Sequence, residues 1–206
     1  MANFVLRNGW SACLLVACLY LIVLAPSCGA SQAQGAYAAE ADPRKHAYVI
    51  GISDVLAINV WKDPELSTET VVRPDGTITM PLVGDLKAAG RTTGDLKIEI
   101  KQRLARYVQD PVVTVALSEV NSYRFTVSGQ VAHPGVFSAK YYLTVSEAVA
   151  LAGGPNRYAS PEDVEVVRIG RGDRARRIPV DYDAIVKGER PDMDIVVLPG
   201  DTVYVP

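Results

Sequence analysis

The chain has 206 residues, of which 49% are hydrophobic and 21% are charged, and its formal net charge is -2. This composition is typical of a globular protein with one large or two small domains, and it excludes disordered and collagen-like chains. The near balance of 21 Lys and Arg residues against 23 Asp and Glu residues gives no broad positive field, so we expect no nucleic-acid partner. The three cysteines, Cys13, Cys18 and Cys28, all precede residue 29, which leaves no cysteine for a disulfide or a thiolate metal site farther along.

Residues 1–27 are predicted to be a secretory signal peptide. One positive charge, Arg7, precedes a run of fourteen mostly apolar residues at positions 11–24, and Pro26 follows this run. A stable membrane span needs about 20 apolar residues, so a cleaved signal fits this segment better than a permanent anchor.

Two cleavage positions are open. In one, Cys28 becomes the new N-terminus and is lipidated, because a small residue precedes it as in bacterial lipoprotein signals; in the other, cleavage follows Ala30. Residues 28–45 are predicted to be a flexible linker, since their middle part is small, polar and without periodicity.

Two short strands are predicted at positions 49–52 and 55–60, where β-branched residues cluster on either side of Asp54. Farther on, the sequence Pro-Asp-Gly at positions 74–76 separates two segments of alternating apolar residues. Proline fixes the φ angle of a turn and glycine adopts the positive φ that a hairpin needs. Residues 71–80 are therefore predicted to form a β-hairpin.

A helix is predicted to begin at Thr93, whose hydroxyl can cap it, with Asp95 in the first turn near the positive end of the helix dipole. Its apolar stripe at helical spacing is Leu96, Ile100 and Leu104, continued by Tyr107 or Val108. Pro111 is expected to end the helix, and residues 112–117 are predicted to form a buried strand.

A second unit is predicted from residue 122 onward. Tyr123, Phe125 and Val127 alternate with polar residues, which is typical of a half-buried strand, and the sequence His-Pro-Gly at positions 133–135 provides a tight turn. Thr144 and Glu147 have the spacing of a capping box at the start of a helix over residues 145–152, which Gly153, Gly154 and Pro155 stop.

Further strands are predicted at positions 164–169, 178–180, 195–198 and 203–205, with an Arg-rich turn at 170–176 and a turn at 199–201. Two strands, a helix and then further strands follow the order of a β-grasp fold. Both units combine strands with a helix, so the predicted fold class is α+β.

Several of these segments resemble two known domain families. Positions 48–61, 73–76, 80–84 and 90–93 are similar to the polysaccharide biosynthesis/export domain, and positions 127–135, 143–148, 152–155 and 198–201 are similar to the soluble-ligand-binding β-grasp (SLBB) domain. The resemblance predicts an export domain over residues 46–118 and an SLBB domain over residues 122–206. Its structural motif residues are Asp54, Pro74, Asp75, Gly76, Pro81, Gly84, Gly129, Pro134, Gly135, Gly153, Gly154, Pro199, Gly200 and Asp201.

The resemblance implies an outer-membrane polysaccharide export protein of the Wza type, a lipoprotein that assembles as a ring, expected to be an octamer, and lines a periplasmic conduit. It implies no catalysis, metal or cofactor, and it implies an exported capsular or extracellular polysaccharide and an inner-membrane polysaccharide co-polymerase or tyrosine kinase as partners. Well-known members carry several SLBB repeats and a C-terminal amphipathic helix, whereas this sequence has one repeat and ends at a predicted strand. We therefore expect a separate outer-membrane protein, a β-barrel, to complete the route.

Candidate catalytic groups are few. His46 lies at a domain edge and His133 in a turn, so both are interpreted as surface residues. The carboxylate pairs Asp54 with Asp63 and Asp192 with Asp194 have the residue types of a glycosidase site. For Asp54 and Asp201 we favour another interpretation, in which each side chain bonds to backbone N–H groups of its own turn.

Aromatic residues could stack on sugar rings if they are exposed, or belong to the core if they are buried. The candidates are Tyr48, Trp61, Tyr141 and Tyr142, and their sequence context does not separate the two alternatives. Three classes of function follow: a subunit of an export conduit, a soluble periplasmic glycan-binding module, or a periplasmic glycan-processing enzyme. The resemblance favours the first.

Overall fold

A computed structural model describes Tyr37, Glu40, residues 42–170 and residues 174–206. The predicted signal peptide, Cys28 and the turn residues 171–173 lie outside the described residues. From residue 42 onward the chain forms two lobes with separate sheets. We call residues 42–119 the N-terminal lobe and residues 123–206 the C-terminal lobe.

The N-terminal lobe is built on a three-stranded antiparallel sheet. Its elements in chain order are β1 (Val55–Val60), β2 (Thr68–Val71), β3 (Thr77–Met80), β4 (Gly84–Lys87), α1 (Thr93–Leu104) and β5 (Val113–Glu119). β1 lies between β2 and β5, while β3 and β4 form a two-stranded sheet of their own. One core joins both sheets to the helix, and its fully buried members include Leu56, Ile58, Ile78, Leu86, Leu96 and Ile100. Burying each of these side chains completely contributes about 1.5–3 kcal/mol relative to exposing it.

The strand predicted at positions 49–52 is not formed. Val49 makes only an isolated bridge to Thr92, and Ile50 exchanges backbone hydrogen bonds with the loop before α1, its N–H donating to Arg91 O at 2.8 Å. Ser53 then adopts a positive φ of 75°. This segment pairs with a loop and then turns, so its β-branched residues never enter a ladder.

The turn predicted at positions 74–76 is present, but the predicted hairpin around it is wrong. Gly76 N donates to Arg73 O at 2.8 Å, and Arg73 N donates to Thr77 O at 2.9 Å. Beyond the turn the flanking strands separate: β2 pairs with β1, and β3 pairs with β4 across the turn that begins at Pro81. A turn signal specifies a change of direction, whereas the pairing partner depends on which core each strand faces.

Helix α1 begins at Thr93 as predicted, but Thr92 is its N-cap residue. Thr92 Oγ1 accepts a hydrogen bond from Asp95 N at 3.1 Å, and the Asp95 carboxylate accepts one from Thr92 N. The prediction of Thr93 as the cap is therefore wrong by one position. Thr92 and Thr93 have identical side chains, so the sequence does not distinguish them as caps. Thr92 is the N-cap residue because its backbone is extended.

The end of α1 also differs from the prediction. The helix ends at Leu104, well before Pro111, and the next turns are closed by Tyr107 N and Val108 N donating to Leu104 O. Val108 packs against the core while Tyr107 is 62% exposed, which decides between the two residues left open above. The following strand, β5, buries only Val113, so its prediction as a buried strand is wrong; α1 covers one face of it and leaves the other open.

The C-terminal lobe is a five-stranded sheet with two short helices. Its elements are β6 (Arg124–Gly129), β7 (Gly135–Ser138), α2 (Val145–Leu151), β8 (Val164–Ile169), β9 (Ala175–Val180), α3 (Tyr182–Val186) and β10 (Thr202–Val205). The strand order is β7-β6-β10-β8-β9, and β10 runs parallel to β6. A hairpin, a helix and a parallel return strand beside the first strand make this a β-grasp arrangement, and the predicted α+β class is confirmed.

Most of the local predictions in this lobe are confirmed. Tyr123, Phe125 and Val127 are buried on one face, and Thr144 and Glu147 form the capping box of α2. Three differences remain. Residues 195–198 form only an isolated bridge between Val196 and Thr144, and α3 was not predicted. A helix of five residues is too short to show a periodic pattern. The strand predicted at 178–180 begins earlier, at Ala175, inside the predicted Arg-rich turn, because residues 175–177 pair with β8.

Candidate functional site

The predicted motif residues shape turns in both lobes. Asp75 accepts hydrogen bonds from Thr77 N and Thr77 Oγ1 at 2.9 and 2.6 Å, inside the turn that precedes β3. Nine further motif residues lie in the turns between β3 and β4, between β6 and β7, after α2 and before β10, or at the strand ends that border these turns: Pro81, Gly84, Gly129, Pro134, Gly135, Gly153, Gly154, Pro199 and Gly200. None of them lines the tyrosine pocket described below.

Gly129 is required by a close approach of two strands. It ends β6 with a φ of 94°, and a Cβ atom built on it would lie 1.9 Å from Val205 O of β10. That distance is far inside van der Waals contact, and an L side chain rarely adopts this φ. The parallel pairing of β6 with β10 therefore depends on a glycine here.

Asp54 joins the N-terminal lobe to the segment that connects the lobes. One carboxylate oxygen accepts hydrogen bonds from Asn121 N and Ser122 N at 2.9 and 2.8 Å, and the other accepts from Gly51 N and the Tyr48 hydroxyl, both at 2.8 Å. The side chain is completely buried. The predicted backbone bonding of Asp54 thus includes its own turn and also residues nearly seventy positions away, which the sequence did not indicate.

Gly51 lets the connecting segment approach. A Cβ atom at Gly51 would lie 2.2 Å from the Cβ of Ser122, whose hydroxyl also hydrogen-bonds to the Tyr48 hydroxyl at 2.9 Å. Burial raises the pKa of the Tyr48 hydroxyl, and its hydrogen bond to Asp54 acts in the same direction. We call Tyr48, Gly51, Asp54, Asn121 and Ser122 the junction cluster.

Asp201 occupies a comparable place in the C-terminal lobe. Its carboxylate accepts from Leu198 N at 2.7 Å, within its own turn, and faces the guanidinium of Arg168, with Nη2 at 2.7 Å and Nε at 3.1 Å. Arg168 Nη2 also donates to Val196 O at 2.8 Å, and Nη1 donates to Glu40 at 2.7 Å. Both partners of the pair are nearly inaccessible, with residue exposures of 8% for Arg168 and 2% for Asp201.

The sequence pattern predicts Arg168 only as a residue of the strand at positions 164–169. The sequence did contain a signal for its burial. Side chains alternate along a strand, so Arg168 lies on the same inward face of β8 as Val164 and Val166. An arginine on a buried face implies a buried carboxylate partner.

A tyrosine pocket opens where the two lobes meet. It has a volume of about 300 Å³, and its wall includes Tyr48, Val120, Tyr123 and Tyr142. The Tyr123 and Tyr142 rings meet edge to face with centroids 5.1 Å apart, and Tyr48 lies 6.4 Å from Tyr142. Arg44, Lys140 and Tyr141 complete the lining.

Two of these rings are held by their hydroxyl groups. The Tyr123 hydroxyl donates to Val197 O and accepts from Leu143 N, both at 2.9 Å, and the Tyr48 hydroxyl belongs to the junction cluster. Burial raises the pKa of both Tyr123 and Tyr142. The pocket therefore presents ring faces and edges, while its bound hydroxyls point into the protein.

The aromatic candidates separate into two groups. Trp61 is 71% exposed and Tyr141 is 68% exposed, so neither belongs to the core. Tyr48 and Tyr142 are partly buried in the pocket wall. Tyr141 is the one of these four that is both exposed and next to a pocket of tyrosines.

The candidate catalytic groups are placed in structural roles or on the surface. His46 and His133 are exposed, and within residues 42–170 and 174–206 no three His, Cys, Asp or Glu side chains are grouped as metal ligands. Of the carboxylates, Asp192 pairs with Arg190 at 2.9 Å, and Asp194 accepts from Ser146 N and Oγ. In the described part of the chain no helix has both the length and the apolar character needed to cross a bilayer.

Comparison with known proteins matches both lobes. A model of the polysaccharide biosynthesis/export protein family matches residues 42–118, and the SLBB domain model matches residues 124–180. The EPS I polysaccharide export outer membrane protein EpsA of Ralstonia solanacearum is 35% identical over 151 aligned residues, which cover 62% of this chain and 40% of EpsA.

Two further relatives are similar. The exopolysaccharide production protein ExoF of Rhizobium meliloti is 34% identical, covering 73% of this chain and 37% of ExoF. The capsule polysaccharide export protein BexD of Haemophilus influenzae is 27% identical, covering 77% of this chain and 43% of BexD. The chain thus spans about 40% of the length of these relatives. Residues 42–118 therefore belong to the polysaccharide biosynthesis/export family, and residues 124–180, which follow them in the chain, belong to the SLBB domain family.

Proposed function

We propose that this chain is a subunit of a conduit that exports a capsular or extracellular polysaccharide through the periplasm to the outer membrane, and that it has no catalytic role. The observation that carries this proposal is the pairing of the two domains in one chain, at residues 42–118 and 124–180, in the same order as the resemblance predicts. The names of EpsA and BexD, both polysaccharide export proteins, support the same role.

The junction cluster suits a building block of a larger assembly. Asp54 ties residues 121 and 122 to the N-terminal lobe through two backbone hydrogen bonds, and Gly51 lies directly against Ser122. Two lobes fixed to each other can repeat the same contacts around a closed ring, because ring closure requires the same angle at every interface. We therefore propose a homo-oligomeric ring, with an octamer expected from the resemblance.

Attachment to the membrane is proposed through Cys28. In this arrangement the signal peptide is removed, the lipid anchors Cys28 in the outer membrane, and residues up to 45 tether the two lobes at its periplasmic face. An inner-membrane polysaccharide co-polymerase or tyrosine kinase would deliver the polymer.

The test is the native mass of the full-length protein extracted from membranes in mild detergent, compared between wild type, Cys28→Ala and Cys18→Ala. We expect a closed oligomer for the wild type and for Cys18→Ala, whose altered cysteine lies inside the predicted signal. Cys28→Ala should appear in the soluble periplasmic fraction. A monomer that is equally soluble with and without Cys28 would contradict the proposal and favour a soluble glycan-binding module.

A further inference from the structure

Lys140 and Tyr141 stand at the boundary of two adjoining depressions. The first is the tyrosine pocket of about 300 Å³, and the second, of about 420 Å³, is lined by Leu143, Glu147 and Leu151 among others. Lys140 and Tyr141 line both. The two depressions therefore adjoin at Lys140 and Tyr141, and we call them together the Tyr141 track.

The aromatic part of the track is pre-formed. Tyr48 and Tyr123 are fixed by hydrogen bonds of their hydroxyl groups, and Tyr142 packs edge to face on Tyr123. A ligand that enters loses little free energy to ordering these side chains. Tyr141 itself is 68% exposed, so its ring is available to a ligand without any rearrangement of the core.

The charge beside this ring is uncompensated. Within the described residues the Lys140 ammonium has no ion pair or hydrogen bond, in contrast to Arg44 at the same pocket, which pairs with Asp42 at 2.9 Å. Glu147 lies in the second depression, but its carboxylate accepts a hydrogen bond from Thr144 N as part of the capping box. The track thus offers one free cation next to an exposed aromatic face.

We propose that the Tyr141 track binds an acidic glycan, with one sugar ring stacked on Tyr141 and a carboxylate of the glycan paired with Lys140. The C–H face of a pyranose is apolar and packs on an aromatic ring, while a carboxylate is the complement of an ammonium group. Two adjoining depressions accept consecutive units of a chain, so a polymer fits them better than a single sugar. The choice of a polysaccharide as the ligand rests on the proposed export function.

The probe is an oligogalacturonate, compared with a neutral malto-oligosaccharide of the same length, titrated calorimetrically into the full-length protein in detergent at low ionic strength. The variants are Tyr141→Ala and Lys140→Gln. Tyr158→Ala is the matched control for the aromatic ring, because Tyr158 is also 68% exposed and lies outside both depressions. Lys101→Gln, on the exposed face of α1, is the matched control for the charge.

We expect Tyr141→Ala to weaken oligogalacturonate binding about tenfold and Lys140→Gln to weaken it severalfold and reduce its dependence on salt. The two control variants should bind as the wild type does. The neutral oligosaccharide should bind to the wild type more weakly than the acidic one does. Its affinity for Lys140→Gln should equal its affinity for the wild type, because it has no carboxylate to pair with Lys140.

The inference is overturned if oligogalacturonate does not bind, if Tyr141→Ala binds it as tightly as Tyr158→Ala does, or if the neutral oligosaccharide binds equally well. It is also overturned if Tyr141→Ala lowers the native mass but leaves sugar binding unchanged, since the track would then receive a second copy of the chain. Polymer export by cells is measured separately. Normal export by a protein that does not bind the probe removes this inference and leaves the proposed function intact.

Discussion

The two lobes each bury one aspartate at a turn, and they compensate its charge differently. In the N-terminal lobe, Asp54 receives four hydrogen bonds from neutral donors, three backbone N–H groups and the Tyr48 hydroxyl. In the C-terminal lobe, Asp201 faces the guanidinium of Arg168 and receives one backbone N–H bond, from Leu198. Neither side chain has access to solvent in any useful amount.

The two aspartates stabilise different parts of the structure. The ion pair of Asp201 and Arg168 links β8 to the turn before β10 inside one lobe. Removing Asp201 therefore weakens the neutralisation of the Arg168 charge within the core of that lobe. Asp54 binds the segment between the lobes, so its loss acts first on how the lobes are joined. A buried carboxylate can therefore stabilise a single lobe or the joint between lobes, depending on where its donors come from.

The strongest test of the comparison is Asp201→Asn. The substitution removes one of the two carboxylates that pair with the buried Arg168 guanidinium, and Glu40 at 2.7 Å remains as the other. Breaking a buried pair costs about 3–5 kcal/mol in the free energy of unfolding, and we expect the low end of this range because Glu40 is retained. Urea unfolding of the variant measures this loss. Asp192→Asn, which removes an accessible partner of Arg190, is the control and should change stability far less. A loss below about 1 kcal/mol for Asp201→Asn would contradict the role assigned to this pair.

Asp54→Asn should be less costly and should act at a different place. An amide has a single accepting oxygen, so either the N–H groups of Asn121 and Ser122 or the other two donors, Gly51 N and the Tyr48 hydroxyl, lose their acceptor, at about 1–3 kcal/mol. We expect faster hydrogen exchange at the amides of Asn121 and Ser122 than in wild type, with the amides of β6 unchanged. Asp63→Asn serves as the control in the same lobe. Equal acceleration across both lobes would show that Asp54 stabilises the whole unit and not the joint.

Gly51→Ala tests the joint by steric means. The added Cβ would overlap with Ser122, and overpacking of this kind costs about 1–3 kcal/mol. The double variant Gly51→Ala with Ser122→Gly should recover most of the loss, as measured by a double-mutant cycle. Gly94→Ala, whose Cβ would meet only Thr92 Oγ1 at 3.6 Å, should be neutral or slightly stabilising. If the double variant recovers nothing, the close approach to Ser122 is not the cause.

The helix caps provide a comparison in which the lobes are alike. Thr92 and Thr144 both form capping boxes, with Asp95 and Glu147 respectively. Thr92→Ala and Thr144→Ala are each expected to lower stability by about 1 kcal/mol in thermal or urea unfolding. Thr93→Ala, one position inside α1, should have a smaller effect. A larger loss for Thr93→Ala than for Thr92→Ala would reverse the assignment of the cap.

The smallest expected effect concerns alkaline pH. Burial raises the pKa of Tyr48, Tyr123 and Tyr142 in the folded protein above the value of about 10 that tyrosine has when unfolded. The stability that these hydroxyls contribute is therefore fully present below pH about 10 and is lost as the pH rises toward their folded pKa values. A spectrophotometric titration should show a late group of tyrosines, and Tyr48→Phe should remove one of them. Titration of all tyrosines near pH 10 in the folded protein would contradict this.

Local signals predicted the C-terminal lobe better than the N-terminal one. The capping box of Thr144, the alternation of Tyr123, Phe125 and Val127, and the glycines after α2 each act within a few residues, and each is found where expected. In the N-terminal lobe the turn at 74–76 formed, but β3 paired with β4 instead of β2. Strand pairing depends on contacts between distant positions, which a turn sequence does not encode.

The candidate site shows the same limit. The sequence indicates Tyr48, Tyr141 and Tyr142 as aromatic candidates, and all three line the tyrosine pocket. Tyr48 and Tyr142 are partly buried there, whereas Tyr141 is exposed. The ion pair of Arg168 and the position of Lys140 in the lining of two depressions were not predicted. The alternation of inward and outward residues along β8 could have indicated that Arg168 is buried. The position of Lys140 between two depressions depends instead on how the lobes meet.

The sequence by itself determined the two domain families and their order, the α+β class, the positions of most turns and the capping box of α2. These follow from motifs and from propensities that act between neighbours along the chain. Only the tertiary structure decided which strands pair, that Asp54 holds the connection between the lobes while Asp201 neutralises Arg168, and that tyrosines from separate segments share one pocket. Each of these depends on residues far apart in sequence that approach one another only after the two cores have formed.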